Sequence, residues 1–191
     1  MQVPQEVSNS YELNIEEVNT YIQHYSSMVV IIWNCRGAGK PLFKPTITEL
    51  FNIYKPDIMV IVETHIHIDS LIEFFGNLGL TNKEVSEPVG RSGGIWVTWN
   101  PISINFESLS ITRQAIHFMA TKLNYGEWIF SAVYASPHPR LRRKLWDNLF
   151  EISENIDILW LVAGDFNDHI GDTEKRSFEK KGERKSKHSL P

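Results

Sequence analysis

Apolar residues in this chain fall mostly into short continuous runs, and helical spacing appears in only a few stretches. Met28-Val-Val-Ile-Ile-Trp33 is a run rich in β-branched residues, the pattern of a strand buried on both faces. Asn34 to Pro41 reads as loop. Ile47, Leu50, Phe51 and Tyr54 then repeat at the i, i+3, i+4, i+7 spacing of one helical face, and Pro56 closes that helix before a second apolar strand, Asp57 to Val62. A strand, helix, strand unit leaves its two strands parallel, with their C-terminal ends on one side of the sheet. Asn34 and Glu63 stand at those two ends.

Leu71, Ile72, Phe75 and Leu78 predict a further helix, and Gly90 to Gly94 a turn before the strand Ile95 to Trp99. Asn100-Pro101 breaks the run. Three extended segments follow, Ile102 to Leu109, Gln114 to Leu123 and Trp128 to Ala135, and the last two are joined by Asn124-Tyr-Gly-Glu127, a hairpin composition. This middle part is expected to be antiparallel. Leu141, Leu145, Trp146, Leu149 and Ile152 mark a helix leading to Ile158 to Val162, the last buried strand, which ends at Gly164-Asp165.

Both ends differ from this core. Residues 1–27 carry only a loose helical pattern, through Leu13, Val18, Tyr21 and Ile22, and are read as an appendage. Residues 173–191 are dominated by Lys175, Arg176, Lys180, Lys181, Arg184, Lys185 and Lys187 without apolar periodicity, so a basic disordered tail is expected there. No internal repeat is found. The domain proper is therefore 28–172.

Composition narrows the picture slightly. With 191 residues, 42% hydrophobic and 22% charged, the chain suits one globular domain. Its single cysteine, Cys35, excludes an internal disulfide and suits a reducing compartment, cytosolic or nuclear. No stretch approaches the roughly 20 apolar residues of a bilayer span and no basic-then-apolar leader opens the chain, so a soluble protein retained in the cell and away from membranes is expected. A net charge of -4 argues against a uniformly basic nucleic-acid coat but leaves room for a local basic surface.

The candidate chemistry lies where strands end. Four apolar strands terminate at Asn34, Glu63, Tyr134, and the pair Asp165 with Asn167. In α/β sheets, ligands bind beyond the carboxyl ends of strands, where side chains project from a rigid frame. Carboxylates, amides and a phenol, with no cysteine or histidine required, favour a hard, oxygen-preferring ion: Mg2+, with Mn2+ as the substitute. Such a set suits phosphate chemistry. Any one of these residues taken alone equally well starts a loop or caps a helix. Asp165 and Asn167 share a face if the chain stays extended between them, and Gly164 permits close backbone approach.

Trp33-Asn34-Cys35-Arg36-Gly37, Glu63-Thr64, Ser92-Gly93-Gly94-Ile95, Val133-Tyr134-Ala135-Ser136-Pro137 and Gly164-Asp165-Phe166-Asn167 occur in the order found in the endonuclease/exonuclease/phosphatase superfamily. The sequence most resembles the apurinic-type endonuclease domains of plant non-LTR (LINE-type) retrotransposons, over about residues 28 to 172. The resemblance implies a four-layer α/β sandwich with two mixed sheets, and Mg2+-assisted hydrolysis of phosphodiester bonds in nucleic acid, DNA above all. It implies that Glu63 ligates the metal and that Asn34 supports both metal and phosphate. Tyr134 matches the phosphate-contacting tyrosine, Asp165 the aspartate that positions or activates water, and Asn167 its phosphate-binding neighbour. A small-molecule phosphatase shares the same core residues.

Complete members end in a Ser-Asp-His motif whose histidine faces the scissile phosphate, and no such motif occurs in these 191 residues. A fold incomplete at its C-terminus, with impaired or lost activity, is the corresponding expectation; a catalytically inactive remnant or interaction module is the alternative. Other signals weigh less. Arg36-Gly-Ala-Gly-Lys40 fails as a phosphate loop, because Asn34 and Pro41 stand where Gly and Ser/Thr are needed. His65 and His67 read as an exposed loop pair, His117 as a half-buried sheet residue, and Arg140, Arg142, Arg143 and Lys144 as a solvated helix face that could alternatively meet a nucleic-acid backbone.

Overall fold

The structure, a computed structural model, describes residues 28–168 apart from Arg91 and Asn124. The appendage expected over 1–27 and the basic tail expected over 173–191 lie outside the described residues.

Strands β1 (Val30–Asn34) and β2 (Ile58–Val62) pair in parallel around helix α1 (Phe43–Tyr54). A 3-10 turn (Ile68–Leu71) runs into the short helix α2 (Ile72–Asn77), followed by β3 (Asn82–Ser86) and β4 (Ile95–Trp99). Next come β5 (Asn105–Ile111), β6 (Ala115–Lys122) and β7 (Gly126–Tyr134), then helix α3 (Pro139–Glu154) and β8 (Trp160–Asp165). One sheet has the order β1-β2-β4-β3, the other β5-β6-β7-β8. Both are mixed: β1/β2 and β7/β8 are parallel and the remaining pairs antiparallel.

Alternation along the strands builds four layers. Ile58, Val60 and Val62 of β2 join Ile95, Val97 and Trp99 of β4 in a core between the sheets, where they meet Ile116, Phe118, Phe130 and Ala132 of the second sheet. The opposite face of the first sheet, with Met59, Ile61 and Trp96, packs on Phe43 and Ile47 of α1 and Phe75 of α2. On the second sheet's outer face, Ala115, Val133 and Trp160 pack on Leu145 and Leu149 of α3. The order helix, sheet, sheet, helix is the expected four-layer sandwich. Trp99, Phe106, Phe118, Trp128 and Phe130 form a stack of aromatic rings, with Phe106 and Phe118 centroids 4.6 Å apart. Pairs of this kind add about 0.5–1.5 kcal/mol each beyond area burial. Since Trp99 pairs with Ile58, at the start of β2, these rings clamp the end of the sandwich away from the strand C-termini.

Expectations change at four strands. β5 runs Asn105–Ile111 rather than Ile102 to Leu109, because the turn after Asn100 continues, Ser103 N–H donating to Asn100 O at 3.0 Å, and leaves Ile102 exposed. β1 is half-buried on both faces rather than buried, because among the described residues it pairs with β2 alone. β3 was not expected: Val85 is the only apolar residue in Asn82–Ser86, and this edge strand is fixed by its ladder to β4 rather than by a buried face. The last strand starts at Trp160, two residues later than its apolar run, leaving Ile158 and Leu159 exposed.

His117 is fully buried, not half-buried, in a polar chain beneath α3. The Trp160 indole donates to Ser131 Oγ at 2.8 Å, Ser131 Oγ lies 2.7 Å from His117 Nδ1, and His117 Nε2 lies 3.1 Å from Asn148 Oδ1. Because an indole only donates and an amide oxygen only accepts, the chain runs in one direction, through a neutral ring that accepts at Nδ1 and donates at Nε2. Burial lowers the His117 pKa below its ordinary 6.5, and the Asn148 bond offsets part of that. The unfolded chain therefore binds the extra proton first, so this contribution to stability is complete above about pH 6.5 and is lost as pH falls toward the lowered native value. Thermal unfolding of wild type and His117→Asn from about pH 7.5 to about pH 5 is expected to show a steeper acid loss in the wild type. Parallel curves would refute this account.

Candidate active site

Parity places most of the expected residues at the inter-sheet end. Asn34 follows the inward-facing Val30 and Ile32, Tyr134 continues the series Trp128, Phe130, Ala132, and Asp165 follows Ala163. Two bonds then join the sheets. Asn34 Nδ2 donates to Asp165 Oδ2 at 2.7 Å, and Tyr134 OH donates to Glu63 Oε1 at 3.0 Å.

Glu63 is the exception to parity. Met59 and Ile61 face the helices, so an extended residue 63 would face them too; instead Glu63 has φ +60°, in the left-handed region. That backbone turns its carboxylate toward Tyr134. Such conformations cost on the order of 1–3 kcal/mol and persist only where neighbours impose them. Here Glu63 N–H donates to Gly94 O at 3.0 Å, Glu63 O accepts from Gly37 N at 2.7 Å, and Thr64 O accepts from Ala38 N at 2.8 Å. His65 repeats the device, with φ +62° and its N–H on Gly93 O at 3.2 Å. Gly94 has to be glycine, since its φ is +96° and a Cβ there would overlap the Thr64 hydroxyl.

Asn167 reaches the site differently from expectation. β8 stops at Asp165 and Asn167 has φ +47°, so the two do not share an extended face. The chain turns over the Asp165 carboxylate, whose Oδ1 accepts Asn167 N–H at 3.0 Å, and Asn167 Nδ2 returns to Ala135 O at 2.8 Å. This local turn, typical of aspartate, competes successfully with further strand.

The electrostatics tie these groups together. Burial chiefly, and then the hydrogen bond to and negative charge of Glu63, with Asp165 adding to them, push the Tyr134 phenol well above its ordinary value of 10.0; Asn167 acts the other way. Tyr134 is thus a fixed hydrogen-bond donor at physiological pH, and it senses both carboxylates. All five expected residues converge.

The donor set fits a hard divalent ion. Among the described residues no three His, Cys, Asp or Glu side chains converge to hold a metal, so an all-protein cage is not what these residues offer. Glu63 Oε2 takes no hydrogen bond from the described residues, and Asn34 Oδ1, which accepts from Arg36 N at 3.1 Å, retains a second lone pair. One carboxylate and one amide oxygen, with water and substrate phosphate completing the shell, is how Mg2+ is commonly held. His67 is elsewhere engaged, its Nδ1 lying 2.9 Å from Glu87 Oε2.

Sequence reasoning missed the cleft beside this cluster. A space of about 550 Å³ opens next to Tyr134, between Ser92–Gly94, Thr112–Gln114 and the first half of α3. Gln114 braces its wall, accepting from Ser136 N at 2.6 Å and donating to Leu141 O at 2.9 Å. A lone glutamine between two strands carries no periodic signal that would reveal this.

Paired mixed sheets thus gather carboxylates, amides and a phenol at one end of the sandwich, and sequence comparison places this arrangement in a family. Residues 31–188 match the Endonuclease/Exonuclease/phosphatase family, and the chain belongs to it. No curated protein matches the sequence. Among solved structures, the human Nocturnin catalytic domain with bound sulfate aligns at TM-score 0.53 and 18% identity, covering 74% of this chain and 64% of that one. TDP2 of D. rerio complexed with single strand DNA product aligns at TM-score 0.56 and 14% identity, covering 75% and 62%. An AP endonuclease from Archaeoglobus fulgidus aligns at TM-score 0.56 and 13% identity, covering 79% and 62%. At such identities the likeness is one of fold. The chain spans less than two thirds of the length of each of these structures. No helix among the described residues is long and apolar enough to cross a membrane.

Proposed function

We propose that this chain is a Mg2+-dependent phosphodiesterase acting on nucleic acid, with residues 28–172 as its nuclease-like domain. The single observation that carries the reading is the pair of bonds between sheets, Tyr134 to Glu63 and Asn34 to Asp165, within the matched family. Glu63 and the Asn34 carbonyl would hold the ion, which when bound neutralises a phosphoryl oxygen and stabilises the leaving alkoxide. Tyr134 fixes the Glu63 carboxylate before substrate arrives, and its one phenol proton then turns to a phosphate oxygen. Asn34 Nδ2 and Asn167 N–H orient the Asp165 carboxylate, which accepts a hydrogen bond from the attacking water and takes its proton. The Asn167 amide, anchored on Ala135 O, presents its remaining N–H to a phosphate oxygen.

Nucleic acid is preferred to a small phosphoester because the motifs resemble those of plant retrotransposon endonucleases, and because the structural neighbours include a protein solved with single strand DNA product. No Ser-Asp-His motif occurs in the sequence. Without that histidine contact the 191 residues are expected to cleave slowly, by a factor on the order of 10² to 10⁴ relative to a chain that has it. The test is conversion of supercoiled to nicked plasmid with Mg2+, with Mn2+ and with EDTA, at high protein concentration. Cleavage that needs the ion and is not suppressed by excess small phosphomonoester supports the reading. Absence of cleavage favours an interaction module, and suppression by the phosphomonoester favours a small-molecule phosphatase.

A further inference from the structure

Arg142 lies in the first turn of α3, amid Arg140, Arg143 and Lys144, which are exposed. Its own side chain is only 12% exposed, and its guanidinium makes four hydrogen bonds. Nε and Nη2 grip Asp168 Oδ2 and Oδ1 at 3.1 and 3.2 Å, while Nη1 donates to the carbonyl oxygens of Ser136 at 3.0 Å and Pro137 at 3.2 Å. One side chain thus spans the loop after β7 and the loop after β8, the two segments that carry Tyr134 and Asp165 with Asn167.

One helical turn further along α3, on the same face, Trp146 stacks on Phe166 with centroids 5.5 Å apart and rings 10° from parallel. Helix α3 therefore holds Phe166 and Asp168, two residues apart, and the residue between them is Asn167. With both neighbours held by the helix, the Asn167 side chain is aimed the other way, onto Ala135 O and toward Tyr134.

We propose that Arg142 is a positioning residue: through its fork on Asp168 and the Ser136 and Pro137 carbonyls it sets the orientation of Asn167 and Asp165 relative to Tyr134. This rests on the proposed function for its kinetic consequence, though not for its structural one. A solvated helix face would leave Arg142 extended into water, and a nucleic-acid contact would leave its donors free. A lysine keeps the charge but cannot make the planar fork, so Arg142→Lys separates charge from geometry.

The experiment uses the full chain with Arg142→Lys, and Asp168→Asn as a second variant should the first fail to fold. Amide exchange over 135–138 and 165–168 is expected to accelerate about tenfold or more, with the central strands β2 and β6 unchanged. In single-turnover assays, the cleavage rate is expected to fall roughly 10- to 100-fold at little-changed KM, because small misplacements of positioned groups act on the chemical step. The two substitutions combined should cost no more than the larger single effect. Unchanged exchange in the two loops, or acceleration spread evenly over the chain, overturns the proposal, as does a rise in KM and salt sensitivity at unchanged rate, which marks a phosphate contact. If the wild type itself cleaves nothing, the proposed function fails while the exchange measurement still decides the clamp.

Discussion

Glu63→Gln is expected to abolish ion-dependent cleavage, by about 10³-fold or more, while leaving the fold in place. The amide oxygen can still accept the Tyr134 hydrogen bond now made to Oε1, and glutamine faces the same left-handed backbone as glutamate, so little native structure is disturbed. What disappears is a carboxylate whose second oxygen takes no hydrogen bond from the described residues, and an ion contribution of several kcal/mol corresponds to three orders of magnitude or more in rate. A readout independent of cleavage accompanies it: if the proposed site holds Mg2+, the ion is expected to raise wild-type Tm by mass action, and this rise should be absent in the E63Q protein. Equal Mg2+ stabilisation of both proteins would remove Glu63 from the ion site.

The second large effect concerns the frame. Gly164→Ala is expected to destabilise the domain by about 3 kcal/mol or more, a Tm loss of roughly 6–12 °C for a chain of this size. Gly164 pairs with Val133 across the parallel β7/β8 ladder, and a Cβ built at 164 would lie on the Val133 carbonyl, a backbone group that cannot swing away as a side chain does. Relief requires the two strands to separate at the point where Tyr134 and Asp165 pair. Gly76→Ala is the matched control: it lies in α2, where apart from its chain neighbours and the helix's own backbone nothing comes within 4 Å of the added Cβ, and should be neutral or stabilising by about 0.5–1 kcal/mol. Similar Tm values for the two variants would refute the steric argument.

Much of this architecture was legible because burial leaves a direct trace in sequence. β2 and β4 sit mid-sheet with both faces covered, so their largely apolar runs, broken only by Thr98 in β4, could be recognised to within a residue. The parallel β1/β2 pair followed from an intervening helix, and the β6/β7 hairpin from its turn residues. The candidate site residues Asn34, Glu63, Tyr134 and Asp165 were visible as polar endings to apolar strands. Elements held by edge pairing or by single hydrogen bonds left no such trace: β3 has one apolar residue, and Arg142 stands among like charges and looks like any other cation on a helix.

By itself, then, the sequence determined which buried segments are extended, which residues close them, and the family to which their order belongs, since alternation and run length are consequences of burial alone. Only the tertiary structure decided how those endings meet. Period-two alternation would have sent Glu63 to the helix side, and an extended chain would have set Asn167 beside Asp165. Left-handed backbone at both positions reversed these directions, and that backbone is held by contacts from Gly94, Gly37 and Ala135, remote in sequence and adjacent only in the fold.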